Sequence, residues 1–402
     1  MPARQRLKTN CYYNNLAKSG QVKFLSLTKM DNPRYKRYNL LGGEEGMEKA
    51  FLVLEDGTVF EGRSCGVAGE VTGEVVFQTD VVGYQEVLTT PSYRGQIVAL
   101  TYPLIGNYGI NAQDAESDGV HPRGLVLKEM SPLYSNFRAE KNLPDFLREH
   151  QVTAVCGIDT RALAVHLRER GEMRGILSTR EKDPAKLQKK VKEIPSAYEE
   201  DLLSQVTPQK AISPKEKKDP LLAVVDFGMR RSLSDQLESL GCSLVRVPAY
   251  TRAEEVLKLK PKGVLLSPGP GNPGKPKGIV EEVKKLIAGG PPILGIGLGH
   301  QFLGMALGAG VKKMHPGHHG GNQPVRESGQ KHSLITAQSH SFVLEVPEEA
   351  GCRVTHLNLN DQSVEGIESK KSPRVFSVQF IPQRDENGKP DRVLQRFVEY
   401  LK

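Results

Sequence analysis

The stretch PILGIGLGHQ, residues 292–301, is the most informative part of this sequence. An apolar strand pattern runs into a tight glycine turn, and a helical pattern follows. The spacing is that of a nucleophile elbow, G-x-nucleophile-x-G, in which the catalytic residue stands at the apex of a strained strand-to-helix turn. Here the apex is Gly297, which tolerates that backbone but has no nucleophilic atom. The N–H of Leu298 is expected to face the same pocket as an oxyanion donor.

Strand and helix patterns alternate around this turn throughout residues 221–402. Strand patterns such as LLAVVDF and GVLLSPGPG are followed by amphipathic helix patterns such as SLSDQLESLG and GIVEEVKKLIAGG. Such alternation predicts an α/β domain with a doubly wound, mainly parallel sheet covered on both faces. Because these sheets bind ligands at the carboxyl ends of their strands, we expect the glycine-rich segments 267–274 and 295–299 to line one site.

The rest of the chain divides into a leader, an N-terminal domain and a linker. Residues 47–204 mix Val-, Thr- and Tyr-rich strand patterns with short helices, which predicts a mixed α/β domain. Residues 205–220, QVTPQKAISPKEKKDP, are polar and punctuated by proline, as is typical of an interdomain linker. Residues 1–46 show no amphipathic period and are interpreted as a basic leader, either disordered or not translated, with Met47 as the start of the folded protein. A flexible basic arm or an organellar targeting leader is the alternative.

The composition argues against nucleic-acid binding and against a membrane span. The 402-residue chain has a net charge of +8, but nine Lys/Arg and three Asp/Glu in the leader leave only +2 for the remainder. A net charge of this size is too small to indicate a surface that binds DNA or RNA. No apolar run approaches the roughly 18 residues of a membrane helix. Five scattered cysteines without a CxxC pair indicate a reducing compartment, so we expect a cytoplasmic protein without a structural zinc site.

Two glycine-rich segments resemble nucleotide-binding loops, but each lacks residues that the corresponding motif requires. A dinucleotide fingerprint at 295–300 would need glycine at position 300, where His300 stands, and no acidic ribose partner follows about 20 residues on. The segment GPGNPGKP, residues 269–276, nearly matches a P-loop. Its last residue, Pro276, offers neither a hydroxyl to magnesium nor a backbone N–H. We therefore expect no cofactor in this chain.

Several motifs in a fixed order carry a resemblance to a known family. The segments SPGPGNP, GIGLGHQFLG, HHGGNQPV, LNLNDQSVEG and VFSVQFIPQ resemble the class I glutamine amidotransferase domain. More narrowly, they are similar to the small subunit of carbamoyl phosphate synthase. LEDGTVFEG, TTPSYRGQIV, TYPLIGNYG and GIDTRALAVHLRERGEMRG are similar to the N-terminal domain of that subunit. The resemblance covers about residues 48–400.

The resemblance places the family's glutaminase triad on three residues whose side chains cannot catalyse glutamine hydrolysis. The family uses a cysteine at the elbow and a histidine and a glutamate in an F-H-P-E segment; the corresponding residues here are Gly297, Ile381 and Gln383. Amide hydrolysis of this kind needs a thiolate, an imidazole that moves protons and a carboxylate that orients it. We expect no intact catalytic residue, and neither His300 nor His340 replaces a missing nucleophile.

The glutamine cradle implied by the resemblance is partly retained. The family segment Q-N-H-G-F reads here Gln338-Ser339-His340-Ser341-Phe342, so two of its residues have changed. The implied glutamine-binding positions are Ser92, Gly269, Gly271, Leu298, Gln301, Ser339, Ser341 and Phe342.

A histidine-rich loop at 315–321, HPGHHGG, invites a metal-site interpretation. His315, His318 and His319 have ligand-type side chains, but the family carries a similar His-His-Gly-Gly loop near its glutamine site. We therefore expect no metal in this loop.

The resemblance implies a function that we expect this chain to perform only in part. Small subunits release ammonia from glutamine, and a large subunit joins the ammonia to bicarbonate with ATP, for arginine and pyrimidine synthesis. ATP and bicarbonate are therefore expected on the large subunit, the implied partner. We expect this copy to be a pseudoenzyme, a structural subunit of an ammonia-fed synthase. The alternatives are a non-enzymatic glutamine-sensing or regulatory module and a decaying duplicate without a role.

Overall fold

The computed structural model of the protein describes residues 48–214 and 219–402. The leader predicted for residues 1–46 lies outside the described residues, as do residues 215–218 of the predicted linker. Within the described ranges no helix is long and apolar enough to cross a bilayer.

The N-terminal half is built on a closed barrel. Its strands are β1 (Lys49–Leu54), β2 (Val59–Ser64), β3 (Glu70–Gln78), β4 (Gln96–Leu100), β5 (Leu104–Ile105), β6 (Gly124–Val126), β7 (Glu129–Met130), β8 (Thr153–Cys156) and β9 (Met173–Ser178). The barrel order is β1-β2-β8-β6-β4-β3-β9, and β9 closes it by pairing antiparallel with β1. Short β5 and β7 pair with each other outside the barrel. The accompanying helices are α1 (Tyr84–Thr89), α2 (Leu143–Glu149), α3 (Thr160–Arg170) and α4 (Pro184–Glu193).

The sequence of β1, KAFLVL, explains why this strand is buried on both faces. Successive side chains of a strand point to opposite sides. Leu52 and Leu54 join one apolar cluster with Val75, whereas Phe51 joins another in which the α4 residue Leu187 packs. The apolar side chains on one face of β1 therefore pack inside the barrel, and those on the other face hold α4 against its outside.

The C-terminal half contains one mixed sheet with helices on both faces. Its strands are β10 (Leu221–Asp226), β11 (Ser243–Pro248), β12 (Gly263–Leu266), β13 (Ile293–Ile296), β14 (Gly310–Glu327), β15 (Ser333–Glu345), β16 (Cys352–Asn358), β17 (Val364–Ser369) and β18 (Val375–Val378). Its helices are α5 (Arg231–Ser239), α6 (Ala253–Lys258), α7 (Ile279–Ala288), α8 (Leu298–Ala306) and α9 (Arg392–Glu399). The order is β11-β10-β12-β13-β18-β17-β15-β14-β16.

The first five strands in that order are parallel, and the remainder form an antiparallel extension. Leu222 and Val224 of β10 pack toward α5 and α9, and Ala223 and Val225 pack toward α6, α7 and α8. The predicted fold class, a mixed α/β domain followed by a doubly wound sheet, is confirmed. Sequence analysis did not anticipate the barrel or the antiparallel extension.

The two halves are joined by buried polar contacts. Arg230 at the start of α5 forms an ion pair with Glu116 of the N-terminal half. His319 of β14 bonds through Nε2 to Oε1 of Glu172, at 2.8 Å, and both side chains are almost fully buried. Because a buried polar group costs free energy when it loses its partner, arrangements of the two halves that separate these pairs are disfavoured.

Candidate functional site

The elbow lies between β13 and α8, as the sequence predicts. Gly297 has φ 58° and ψ −114° and stands at the N-cap of α8. Its N–H donates to the carbonyl oxygen of Val378 at 3.0 Å, which ties the apex to the neighbouring strand β18. A positive φ is a backbone region that favours glycine. The turn therefore retains the strained geometry of a nucleophile elbow without a nucleophile.

Close backbone packing explains the glycine that follows the apex. A Cβ atom on Gly299 would lie 2.1 Å from the carbonyl oxygen of Leu266 on β12. That separation is far below van der Waals contact, so α8 reaches the sheet only because Gly299 has no side chain. The N–H of Gly299 donates to the carbonyl oxygen of Ser267, just after the end of β12, at 3.1 Å.

A small cavity opens at this edge of the sheet. Its walls come from the ends of β12, β13 and β18, from β15 and from the N-terminal half, and its volume is about 20 Å³. The sequence-predicted residues that line it are Ser92, Gly269, Gly271, Gly297, Leu298, Gln301, Ser339, Ser341, Phe342 and Ile381. The structure thus brings together every predicted position of the cradle and two of the three triad positions.

The third triad position, Gln383, does not line this cavity. It is exposed, and it borders a wider neighbouring groove of about 640 Å³ together with Ile381 and Ser339. Ile381 is 4% exposed and packs in an apolar cluster, with its N–H donated to the carbonyl oxygen of Ala337 at 2.9 Å. An isoleucine side chain neither takes nor gives a proton, so the base position is chemically inert.

The two histidines nearest the elbow are poor bases. Burial, followed by the neighbouring His356, lowers the pKa of His300 to about 3, and its Nδ1 lies 2.9 Å from the Ser377 hydroxyl. Burial also dominates at His340 and lowers its pKa to about 3. His340 lies between the carbonyl oxygen of Phe342 and the side-chain oxygen of Gln338, each 2.9 Å away. Neither imidazole bonds to a hydroxyl of the cavity.

The segment HPGHHGG, expected from the sequence to be a loop, lies within strand β14, and its three histidines have separate partners. His315 contacts the carbonyl oxygen of Glu169, and His319 contacts Glu172. Burial alone would lower the pKa of His318, but hydrogen bonds and charge from Asp361 and Glu365 raise it to about 9. His318 is therefore a buried cation in an ion-pair network.

A different histidine group has metal-like spacing. Ligand atoms of His318, His340 and Glu365 all lie within 4.8 Å of one another. A metal requires a deprotonated imidazole, whereas His318 holds its proton between two carboxylates. This chemistry favours an ion pair over a metal centre.

A chain of glutamine amides borders the cavity. Gln301 donates through Nε2 to the carbonyl oxygen of Phe342 at 2.8 Å and to Oε1 of Gln379 at 3.0 Å. The Phe342 carbonyl can only accept, so it fixes the orientation of Gln301 and in turn that of Gln379. Nε2 of Gln379 and Oε1 of Gln96 are buried and have no partner among the described residues.

Sequence analysis missed Tyr198, which lies in the cavity wall. This residue belongs to a short 3-10 turn at Ala197–Glu199, between α4 and the linker, and is 4% exposed. Its hydroxyl lies 2.7 Å from the hydroxyl of Ser341. Tyr198 stands in a polar segment without strand or helix periodicity, so nothing in its local sequence indicates that it is buried. Two other residues of the cavity wall, Gln96 and Gln379, were also not predicted.

Comparison with known proteins gives consistent results for both halves. The family model for the carbamoyl-phosphate synthase small chain, CPSase domain, matches residues 52–177, and that for class-I glutamine amidotransferase matches residues 223–399. Carbamoyl phosphate synthase small chains from Syntrophotalea carbinolica and Aquifex aeolicus are each 42% identical, over 88% of this chain and 98% of theirs. The small chain from Escherichia coli K12 is 42% identical over 84% of this chain and 93% of its own.

Proposed function

Because the chain belongs to the carbamoyl phosphate synthase small-chain family, we propose that it is the small subunit of a synthase that uses free ammonia instead of glutamine. The observation that carries this proposal is the elbow apex, Gly297, which has no side chain to attack an amide. Removing a nucleophile or its base costs an enzyme of this kind about a millionfold in rate.

No other group in the cavity supplies the missing nucleophile. Among the described residues that line it there is no cysteine. The hydroxyl of Ser341 is engaged with Tyr198. His340, the imidazole of the cavity wall, bonds to Phe342 and Gln338 and to no serine. A serine without an adjacent base is a weak nucleophile, so a Ser–His substitute for the triad is not formed.

Among the described residues around the cavity, none supplies the missing base either. Ile381 is apolar, and Gln383 is exposed beyond the cavity. A base with a pKa near 3, such as His340, takes a proton poorly at neutral pH. The backbone N–H of Leu298 still opens α8, so the oxyanion position persists without the groups that would generate an oxyanion.

The remaining role that we propose is structural. By family analogy, the large subunit holds ATP and bicarbonate and joins ammonia to bicarbonate, and the small subunit is bound to it. A subunit that keeps the barrel, the doubly wound sheet and the buried contacts between them can still support a partner. Carbamoyl phosphate made in this way enters arginine and pyrimidine synthesis.

Reconstitution with the large subunit of the same organism tests the proposal. Incorporation of labelled bicarbonate into carbamoyl phosphate is measured with ATP and with either ammonium chloride or glutamine. We expect synthesis from ammonium and none from glutamine above a control without a nitrogen source. The large subunit alone is the matched control for the structural role. Synthesis from glutamine in the complex, and not with the large subunit alone, would refute the proposal.

The alternative is a non-enzymatic module that senses glutamine or regulates the synthase. Retention of the predicted cradle positions around one cavity favours it. A pull-down with the large subunit and calorimetry with glutamine separate the two functions. Glutamine binding by a chain that does not bind a large subunit would support the sensing module.

A further inference from the structure

The former substrate cavity is crossed by a contact between the two halves of the chain. The Tyr198 hydroxyl lies 2.7 Å from Ser341 Oγ and 3.2 Å from Glu172 Oε2, and it accepts from Gln96 Nε2 at 3.2 Å. Its ring meets the edge of the Phe342 ring, with centroids 5.2 Å apart. Tyr198 is therefore held on several sides and not loosely placed.

The serine that holds Tyr198 stands at an altered position. In the family segment Q-N-H-G-F the corresponding residue is glycine, which would leave space and offer no hydroxyl. Here Ser341 adds a side chain that is 4% exposed and contacts Tyr198. The substitution therefore both narrows the cavity and supplies the aromatic residue with a partner.

The space that remains is too small for an amino acid. A volume of about 20 Å³ accommodates a molecule of about the size of water. Glutamine, with a three-carbon spacer between its amide and its charged α-groups, needs several times that space. Two residues of the cavity wall, Gln96 and Gln379, each keep one buried polar atom, Oε1 and Nε2 respectively, without a partner among the described residues.

We propose that Tyr198 and Ser341 close this pocket to glutamine. The inference rests on the proposed function, because it treats the cavity as the degenerate glutamine site. It goes further because it states that the chain has lost the binding of glutamine and not only its hydrolysis. It also distinguishes this subunit from a glutamine sensor.

Calorimetric titration with glutamine tests the inference on the full chain, alone and with the large subunit. We expect no saturable binding to the wild type or to Tyr198→Phe, which keeps the ring. The double variant Tyr198→Ala/Ser341→Gly should gain saturable binding of glutamine that the wild type lacks. Tyr250→Ala/Ser328→Gly, which changes the same residue types at exposed positions outside the cavity, should behave as the wild type.

Each outcome decides the inference. Wild-type binding as tight as that of the opened variant would overturn it, and so would an opened variant that is folded by circular dichroism but does not bind. If the double variant does not fold, Ser341→Gly alone is expected to bind with intermediate affinity, and its failure to do so would also contradict the closure. Binding without glutamate release would leave the proposed function standing, whereas glutamate release would refute that function.

Discussion

Replacing Gly297 by cysteine puts a thiol back at the elbow without restoring a base. The new Cβ would lie 3.1 Å from Cβ and 3.4 Å from Cα of Pro268, at a φ of +58°. A residue with a side chain in such a backbone region costs about 1–3 kcal/mol. For a domain of this size each kcal/mol lowers the melting temperature by roughly 2–4 °C. We therefore expect Gly297→Cys to be folded and measurably less stable.

The same variant should remain inactive as a glutaminase. The start of α8 would favour the thiolate form of the new cysteine. Proton transfer to the leaving amine would still require a group at the base position, where Ile381 is buried and apolar. Glutamate release, followed by a coupled dehydrogenase assay, should therefore stay at the no-enzyme background.

Gly241→Cys is the matched control for the stability measurement. Gly241 also has a positive φ, +91°, but no atom lies within 4 Å of a Cβ placed on it. It therefore serves as a positive-φ substitution without a steric contact, against which the loss at Gly297 is compared. A Gly297→Cys protein as stable as the wild type, or one that releases glutamate well above background, would refute this reasoning.

Three further predictions concern the buried network and the repaired triad. His300 has a pKa of about 3 in the folded protein and an ordinary value of 6.5, so the unfolded chain binds the proton first and the free energy of unfolding should fall by about 1.4 kcal/mol per pH unit as pH drops below 6.5. Urea titrations at pH 7 and pH 5 should show a smaller fall for His300→Leu than for the wild type. Equal falls in the two proteins would contradict the burial of a neutral imidazole. Glu172→Gln weakens the buried hydrogen bond with His319 and should cost about 1–3 kcal/mol, measured by urea unfolding against the exposed control Glu129→Gln. A loss no larger than that of the control would contradict this prediction. The triple variant Gly297→Cys/Ile381→His/Gln383→Glu should release glutamate only when Tyr198→Ala/Ser341→Gly is added, and full activity of the triple variant alone would contradict closure of the pocket.

The parallel sheet and the elbow were predictable because their signals are local. Apolar runs such as residues 221–226 and 293–296 are bounded by glycine or proline, and such runs define a strand and its end without knowledge of its neighbours. The predicted cradle positions came from the family resemblance, and they line one cavity because the ends of β12, β13 and β18 meet at one edge.

The barrel was not predictable from such signals because it depends on non-local pairing. β1 pairs with β9, so Leu52 lies opposite Leu177 across more than a hundred residues of chain. His318 and His319 show that the contacts of neighbouring residues are also hard to predict from sequence. The two imidazoles are adjacent in sequence, but a strand sends them to opposite sides, where one contacts Asp361 and the other Glu172.

Glutamate release by the complete synthase is the most direct test of the account. The chain and its large subunit are incubated with saturating glutamine, ATP and bicarbonate, and glutamate is counted per complex against a proven glutaminase. With Gly297 at the elbow, release should not exceed that of a heat-denatured sample, while ammonium supports synthesis in the same preparation. Sustained release of glutamate, or a covalent glutamyl adduct on this chain, would contradict the account.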